Sequence, residues 1–469
     1  MTADSRDIIE NGGYDSPVTP HHGPLVSANT LMYLGYIGLI VIASAAALVV
    51  DPLYVIGALL GLLGLFLIFR YPFFGFILYL FLYFLRPGER FIALAPLRVE
   101  LTFGIVLLLA IVIHDALRGT RIRFPRDKIS ISILVFIASF WLGVIFSVWK
   151  EQSAEAMVAF LKTFVFYYFV VVMADNEKRF NITFWVIVLL TCFAGSEAAY
   201  NYFTGGYTFN QGIMRSGGAT SFGEHSNSLA MYMTTTIPML IYLVVKYRKP
   251  VARFLCFVLM GVCFVTLIVT GSRSGILSLL GTAFTYAWFS RHRLAYFGLI
   301  VFLSVATFFA MPEQYKERYG SIASENVDAS SQGRLDAWAA GMRMFVDYPI
   351  TGVGPQAFAA AYLQREGIWL YSHSLYVELL ATMGVVGTAA WCWFLYQVLA
   401  ALKRMNKRRK DDPAYQRDTV VFVRATYAII FGLLVAGVFG HILFRDTWYI
   451  LAGLVVAKEK LSLKAPEIA

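Results

Sequence analysis

Apolar runs of about membrane length recur along nearly the whole chain, and they restrict the fold more than any other feature. A bilayer core asks for roughly 20 apolar residues per helix. Backbone in hydrocarbon must also satisfy its own hydrogen bonds, which a helix does within one segment. Candidate spans lie at 31–50, 53–69, 72–85, 100–117, 129–149, 154–174, 182–203, 226–246, 253–270, 274–290, 294–311, 372–402, 420–440 and 445–459. Those at 72–85 and 445–459 are short for a full crossing. Charged residues make up 14% of the 469 and hydrophobic ones 58%, whereas soluble domains carry roughly 25% charged residues. The sequence therefore predicts an all-α integral membrane protein, a bundle of about 12–14 transmembrane helices.

The net charge of +10 does not point to nucleic acid, because the basic residues sit mainly in short loops between apolar runs. "RGTRIRFPRDK" (118–128), "KYRKPVAR" (246–253), "SRHR" (290–293) and "KRMNKRRKDDPAYQR" (403–417) are the strongest cases. Alternating spans put all four on one side, which the positive-inside bias makes cytoplasmic, together with both termini. Residues 1–28 are polar and rich in Gly and Pro, without the basic start and short apolar core of a signal peptide. They read as a disordered cytoplasmic tail. Helices fill 29–204, a core with one large outer loop (312–371) fills 205–402, and further helices fill 403–469. Cys192, Cys256, Cys263 and Cys392 all lie inside apolar runs, so neither a disulfide framework nor a metal cluster is indicated.

Candidate chemistry faces the opposite side. "TGSRSG" (270–275) sets Arg273 between two membrane-length apolar runs, where it can snorkel, pair or bind an anion. The cations assigned outside are nearly all arginine: Arg86, Arg90, Arg98, Arg215, Arg273, Arg318, Arg334, Arg343, Arg365 and Arg445, with Lys150 and Lys316 as exceptions. Arginine grips phosphate bidentately and keeps its charge, so the set hints at a phosphorylated ligand. Arg215 precedes a Gly-rich segment and a helix start, which can aim backbone N–H groups at an anion or simply cap a helix.

In the large loop, "SSQGRLDAWAAGMRMFVDYP" places Leu335, Trp338, Ala339, Met342 and Phe345 on one helical face, ended by Pro349. "TGVGPQAF" then leads into a second short helix, both expected to lie at the membrane surface. Arg334 falls at the first helix's start, against the dipole, and either binds an anion or pairs with an acid such as Asp336. His373 opens the next apolar run, where an imidazole can serve as a general base or only bond a neighbouring loop. Lys162, inside a span, is a functional candidate by default or a snorkelling side chain. Glu197 and Glu378 are similar, weaker cases. The chain has no D-x-D and no His/Asp cluster at ligand spacing, which argues against a bound divalent metal.

"TGSRSG", "GRLDAWAAGMRMFVDYPITGVGPQAF" and "HSLYVELLATMGVVG", in this order and on this topology, resemble the O-antigen ligase and polymerase superfamily. The resemblance runs from about 205 to 395, with "PITGVG" and the helix-opening histidine its most specific part. It implies a GT-C-type glycosyltransferase of the bacterial inner membrane, with no cofactor and no metal, acting at the periplasmic face. It implies a donor glycan on undecaprenyl pyrophosphate and, for a ligase, a lipid A–core saccharide acceptor. By motif, Arg215 and Arg273 take the roles of the pyrophosphate-holding arginines and His373 that of the histidine assisting the acceptor hydroxyl. Arg334 matches the "GR…W" motif, and Lys162 joins the expected pyrophosphate-binding set. A polymerase, an exopolysaccharide enzyme or a protein O-glycosylation ligase fits the same motifs. A lipid-linked oligosaccharide transporter fits less well, because the two halves do not repeat.

Overall fold

The computed structural model describes residues 52–464 apart from 118, 120–122, 211–212, 221–224, 409–412 and 441, and apart from 290–328, where only 293–294 and 297–298 are described. The predicted tail, the span 31–50, nearly all of 294–311, the start of the large loop and Arg318 lie outside the described residues. Two compact units divide the chain, residues 1–66 and 67–469. The described part of the first belongs to helix α1 (Pro52–Arg70), and all that follows concerns the second.

Its helices are α2 (Pro72–Leu85), α3 (Val99–Leu117), α4 (Lys128–Phe146), α5 (Lys150–Met173), α6 (Glu177–Phe203), α7 (Ser226–Lys246), α8 (Pro250–Thr270) and α9 (Arg273–Trp288). After them come α10 (Ala329–Asp347), α11 (Phe358–Glu366), α12 (Leu375–Lys407), α13 (Pro413–Gly437) and α14 (Asp446–Lys464). Among the described helices, eight are long and apolar enough to cross a bilayer. The chain is thus a multi-pass, all-α membrane protein.

The helix ends follow from local sequence. Pro72 and Pro250 open α2 and α8, where a missing N–H costs nothing. Asp127 accepts from Ser130 N at 2.9 Å to cap α4, and Asn176 accepts from Arg179 N at 3.0 Å to cap α6. In the bundle α7 packs on α8, α9 and α13, α9 on α13, α4 on α12, and α5 on α14. Phe136, Phe140, Phe160 and Tyr449 form a connected set of ring contacts across α4, α5 and α14.

The predicted span 372–402 is not one regular helix. At Gly384 the backbone of α12 turns to φ 58°, ψ −163°, outside any helical conformation, and only glycine takes that region without penalty. The break frees backbone groups that "PITGVG" satisfies. Val353 N and Gly354 N donate to Ala381 O (2.8 Å) and Thr382 O (3.2 Å). Val385 N and Val386 N donate back to Pro349 O (2.8 Å) and Ile350 O (3.2 Å). Ser147, at the α4–α5 corner, donates to Val353 O at 2.8 Å. Irregular backbone survives inside a membrane protein where protein satisfies it, and this loop is such a plug.

The two helices expected in the large loop are present as α10 and α11, but the buried face of α10 differs from the expected one. Leu335 and Met342 are 48% and 44% exposed, and Ala339 is exposed too, while Ala337, Ala340, Gly341 and Met344 are buried. A Cβ on Gly341 would come within 2.3 Å of Val377 on α12. Small residues on this face let α10 come close to α12. Arg334 also moves relative to expectation. It lies five positions after Ala329, beyond the first turn, so the unfavourable dipole argument does not apply.

Candidate active site

"TGSRSG" folds as a stop and a restart. Gly271 ends α8 in a left-handed turn, its N–H donating to Ile268 O at 2.9 Å. Ser272 then caps α9, accepting from Gly275 N at 3.2 Å, which makes Arg273 the first residue of the new helix. A Cβ on Gly275 would meet Ala230 Cβ at 2.6 Å, so α9 starts hard against α7. Arg273 is therefore fixed at the mouth of a packed helix pair.

Arg215 reaches the same turn from a different part of the chain. The strands β1 (Thr208–Asn210) and β2 (Ile213–Arg215) pair antiparallel and deliver it at the end of β2. Its Nε donates to Thr270 O at 2.8 Å and its Nη2 to Asn227 Oδ1 at 2.7 Å. Ser216 N, next in sequence, donates to Val269 O at 3.1 Å. Only 6% of Arg215 is exposed. The carbonyl and the amide are neutral, so they orient its guanidinium without cancelling its charge.

Asn227 and Ser228 stand in the first turn of α7, and Ser228 Oγ accepts from Arg445 Nη2 at 2.7 Å. Arg445 belongs to this end of the bundle, although sequence reasoning counted it only among the outward arginines. The signal was available: "FRDTW" sets an Arg–Asp pair between apolar runs much as "TGSRSG" sets Arg273. The neighbouring Asp446 accepts from Tyr232 (2.7 Å) and Tyr83 (3.0 Å).

His373 sits just before α12 at φ 48°, left-handed and non-glycine, a conformation that costs about 1–3 kcal/mol unless the surroundings enforce it. Ser372 supplies the enforcement. Its carbonyl accepts from Trp338 Nε1 on α10 at 3.0 Å, and its buried hydroxyl donates to Glu378 Oε2 on α12 at 2.5 Å. Tyr371 lies edge-on to the imidazole with centroids 6.4 Å apart. Burial, and then the positive charge of Arg334, push the pKa of His373 below its ordinary 6.5. The charge of Arg334, on α10, is thus felt at His373, just before α12.

The two halves of the site share one end of the bundle. Tyr376, in the first turn of α12, donates to Leu434 O near the end of α13 at 2.9 Å. The connection from α13 to α14 then carries Arg445 to Ser228. Lys162 lies elsewhere, lining a groove with Arg86 and Arg98. Several other outward arginines are engaged with acids: Arg90 with Glu197, Arg86 with Glu89, Arg343 with Glu366 and Arg365 with Asp347. Glu197 and Glu378, weak candidates by sequence, are the partners of Arg90 and Ser372.

Compared with known families, residues 255–392 match the model described as O-antigen ligase. The chain carries an O-antigen ligase family domain. The domain takes in Arg273, the whole of α10 and α11, the "PITGVG" plug and His373, while Arg215 and Arg445 lie outside it. None of the curated proteins compared with the chain matches it.

Proposed function

We propose that the O-antigen ligase-like domain transfers a glycan from undecaprenyl pyrophosphate to an acceptor hydroxyl, that of a lipid A–core saccharide, at the periplasmic face of the inner membrane. What supports this reading is that Arg273 at the start of α9, with Arg215 bonded to the turn before it, and His373 just before α12, its pKa lowered by burial and by Arg334, lie toward the same end of the bundle. The acceptor oxygen attacks the anomeric carbon, and the bond from that carbon to the pyrophosphate oxygen breaks, inverting the centre. The electron pair leaves with the pyrophosphate, and the hydroxyl proton passes to a ring nitrogen of His373.

Arg273 and Arg215 meet the charge that grows on the leaving group. Preorganised donors of this kind are each worth about 10²- to 10³-fold in rate, and a positioned base about 10²- to 10⁴-fold. In this reading Arg334 keeps His373 unprotonated and borders the acceptor.

The test is incubation of the purified protein with an undecaprenyl-pyrophosphate glycan and a lipid A–core acceptor, the glycan being followed by mass spectrometry. Glycan on the core supports a ligase. Lengthened lipid-linked glycan makes the chain a polymerase, and no transfer to either acceptor by folded protein contradicts the reading.

A further inference from the structure

A groove of about 560 Å³ runs between α2, α3, α5 and the segment joining α2 to α3, within the roughly 300–1,000 Å³ typical of ligand pockets. Its walls are two helix stripes, Leu101, Ile105 and Leu108 on α3 and Val158, Leu161 and Val165 on α5. Both follow the i, i+3/i+4, i+7 spacing of a single helix face. Ile105 and Val158 are each more than half exposed, so the groove opens sideways, toward what in a membrane is lipid.

Its polar lining differs. Arg86, Arg98 and Lys162 face Glu89 and Glu100, three cations against two carboxylates. Arg86 is bound to Glu89 at 2.8 Å, whereas Arg98 and Lys162 form no salt bridge among the described residues. Arg86 and Arg98 are both left-handed, φ 47° and 43°, a strain that glycine would avoid. The segment between them exposes Phe91 and Ile92, as a chain lying in a headgroup layer would.

We propose that this groove binds an anionic membrane lipid whose headgroup is a phosphate monoester, the phosphate held by Arg98 and Lys162 and the hydrocarbon laid along α3 and α5. The site is separate from Arg215 and Arg273. Tyr83, which lines the groove, bonds Asp446 beside Arg445, so a lipid seated there lies next to the candidate active site.

Native mass spectrometry of the purified protein tests this with phosphatidic acid, undecaprenyl phosphate, phosphatidylcholine and inorganic phosphate as probes. The variants are Arg98→Gly with Lys162→Gln, Ile105→Trp, and Arg273→Ala. The first removes two charges while relieving backbone strain, and the second fills the groove from its open side without changing charge. The proposal expects both lipid phosphates to be retained over phosphatidylcholine. It expects retention to fall at least tenfold in the first two variants and to hold in Arg273→Ala, whatever the outcome of the transfer assay. Retention of one lipid phosphate over the other names the chain type and supports the site. Equal retention of phosphatidylcholine, retention of inorganic phosphate as tight as that of the two lipid phosphates, or undiminished binding in both groove variants overturns it.

Discussion

Burial and the charge of Arg334 both work against protonating His373, which suits the base role proposed for it. Transfer should accordingly fall as pH drops through that pKa, with a midpoint below about 6.5. Replacing Arg334 with Ala removes a repulsive charge, raises the pKa of His373 and should move the midpoint to higher pH. A midpoint that stays fixed or moves lower contradicts the assigned role, as rate-against-pH profiles of both proteins will show. The places of Arg273 and His373 at helix starts were legible in the sequence because each interrupts or opens an apolar run. The pairing of Arg90 with Glu197 was not, since the partners are 107 residues apart and nothing local joins them.

Among elements, the fit between "PITGVG" and the break in α12 holds the segment leading into His373's helix. A Cβ on Gly352 would fall 2.3 Å from the Thr382 carbonyl carbon, at a left-handed φ of 68°. Gly352→Ala should therefore cost at least about 2 kcal/mol and lower the midpoint of thermal unfolding in detergent. An unchanged midpoint would mean that the plug is not needed for stability. The break itself escapes sequence reading, because a glycine within an apolar run resembles any other helical glycine in a membrane. The reversed face of α10 escaped because the expected stripe followed the large apolar side chains, whereas Ala337, Ala340 and Gly341 are the ones small enough to let α12 approach. Helix positions, by contrast, follow hydropathy closely, from α3 through α8 and again at α13.

Across the whole molecule the two ends of the bundle do different things. Helix α7 has 21 residues and so spans about 32 Å, close to the hydrocarbon thickness. Its first turn holds Asn227 and Ser228 at the candidate site, and its last holds Lys246 in an ion cluster. There Lys458, fully buried, bonds Asp418 at 2.6 Å and Glu177 at 3.0 Å, tying α6, α7, α13 and α14 together. Lys458→Met should destabilise by about 3 kcal/mol, and adding Asp418→Asn should recover part of that loss. Unfolding temperatures of the single and double variants decide this, and a double variant no better than the single one would contradict it.

At the other end, our proposal is that Arg273 and His373 act on the reacting bond rather than only on the fold. It is tested most directly by the rate of glycan transfer from undecaprenyl pyrophosphate in Arg273→Ala and His373→Ala, each shown to remain folded. A loss of at least about 100-fold is expected in each. Folded variants that transfer at the wild-type rate would contradict it.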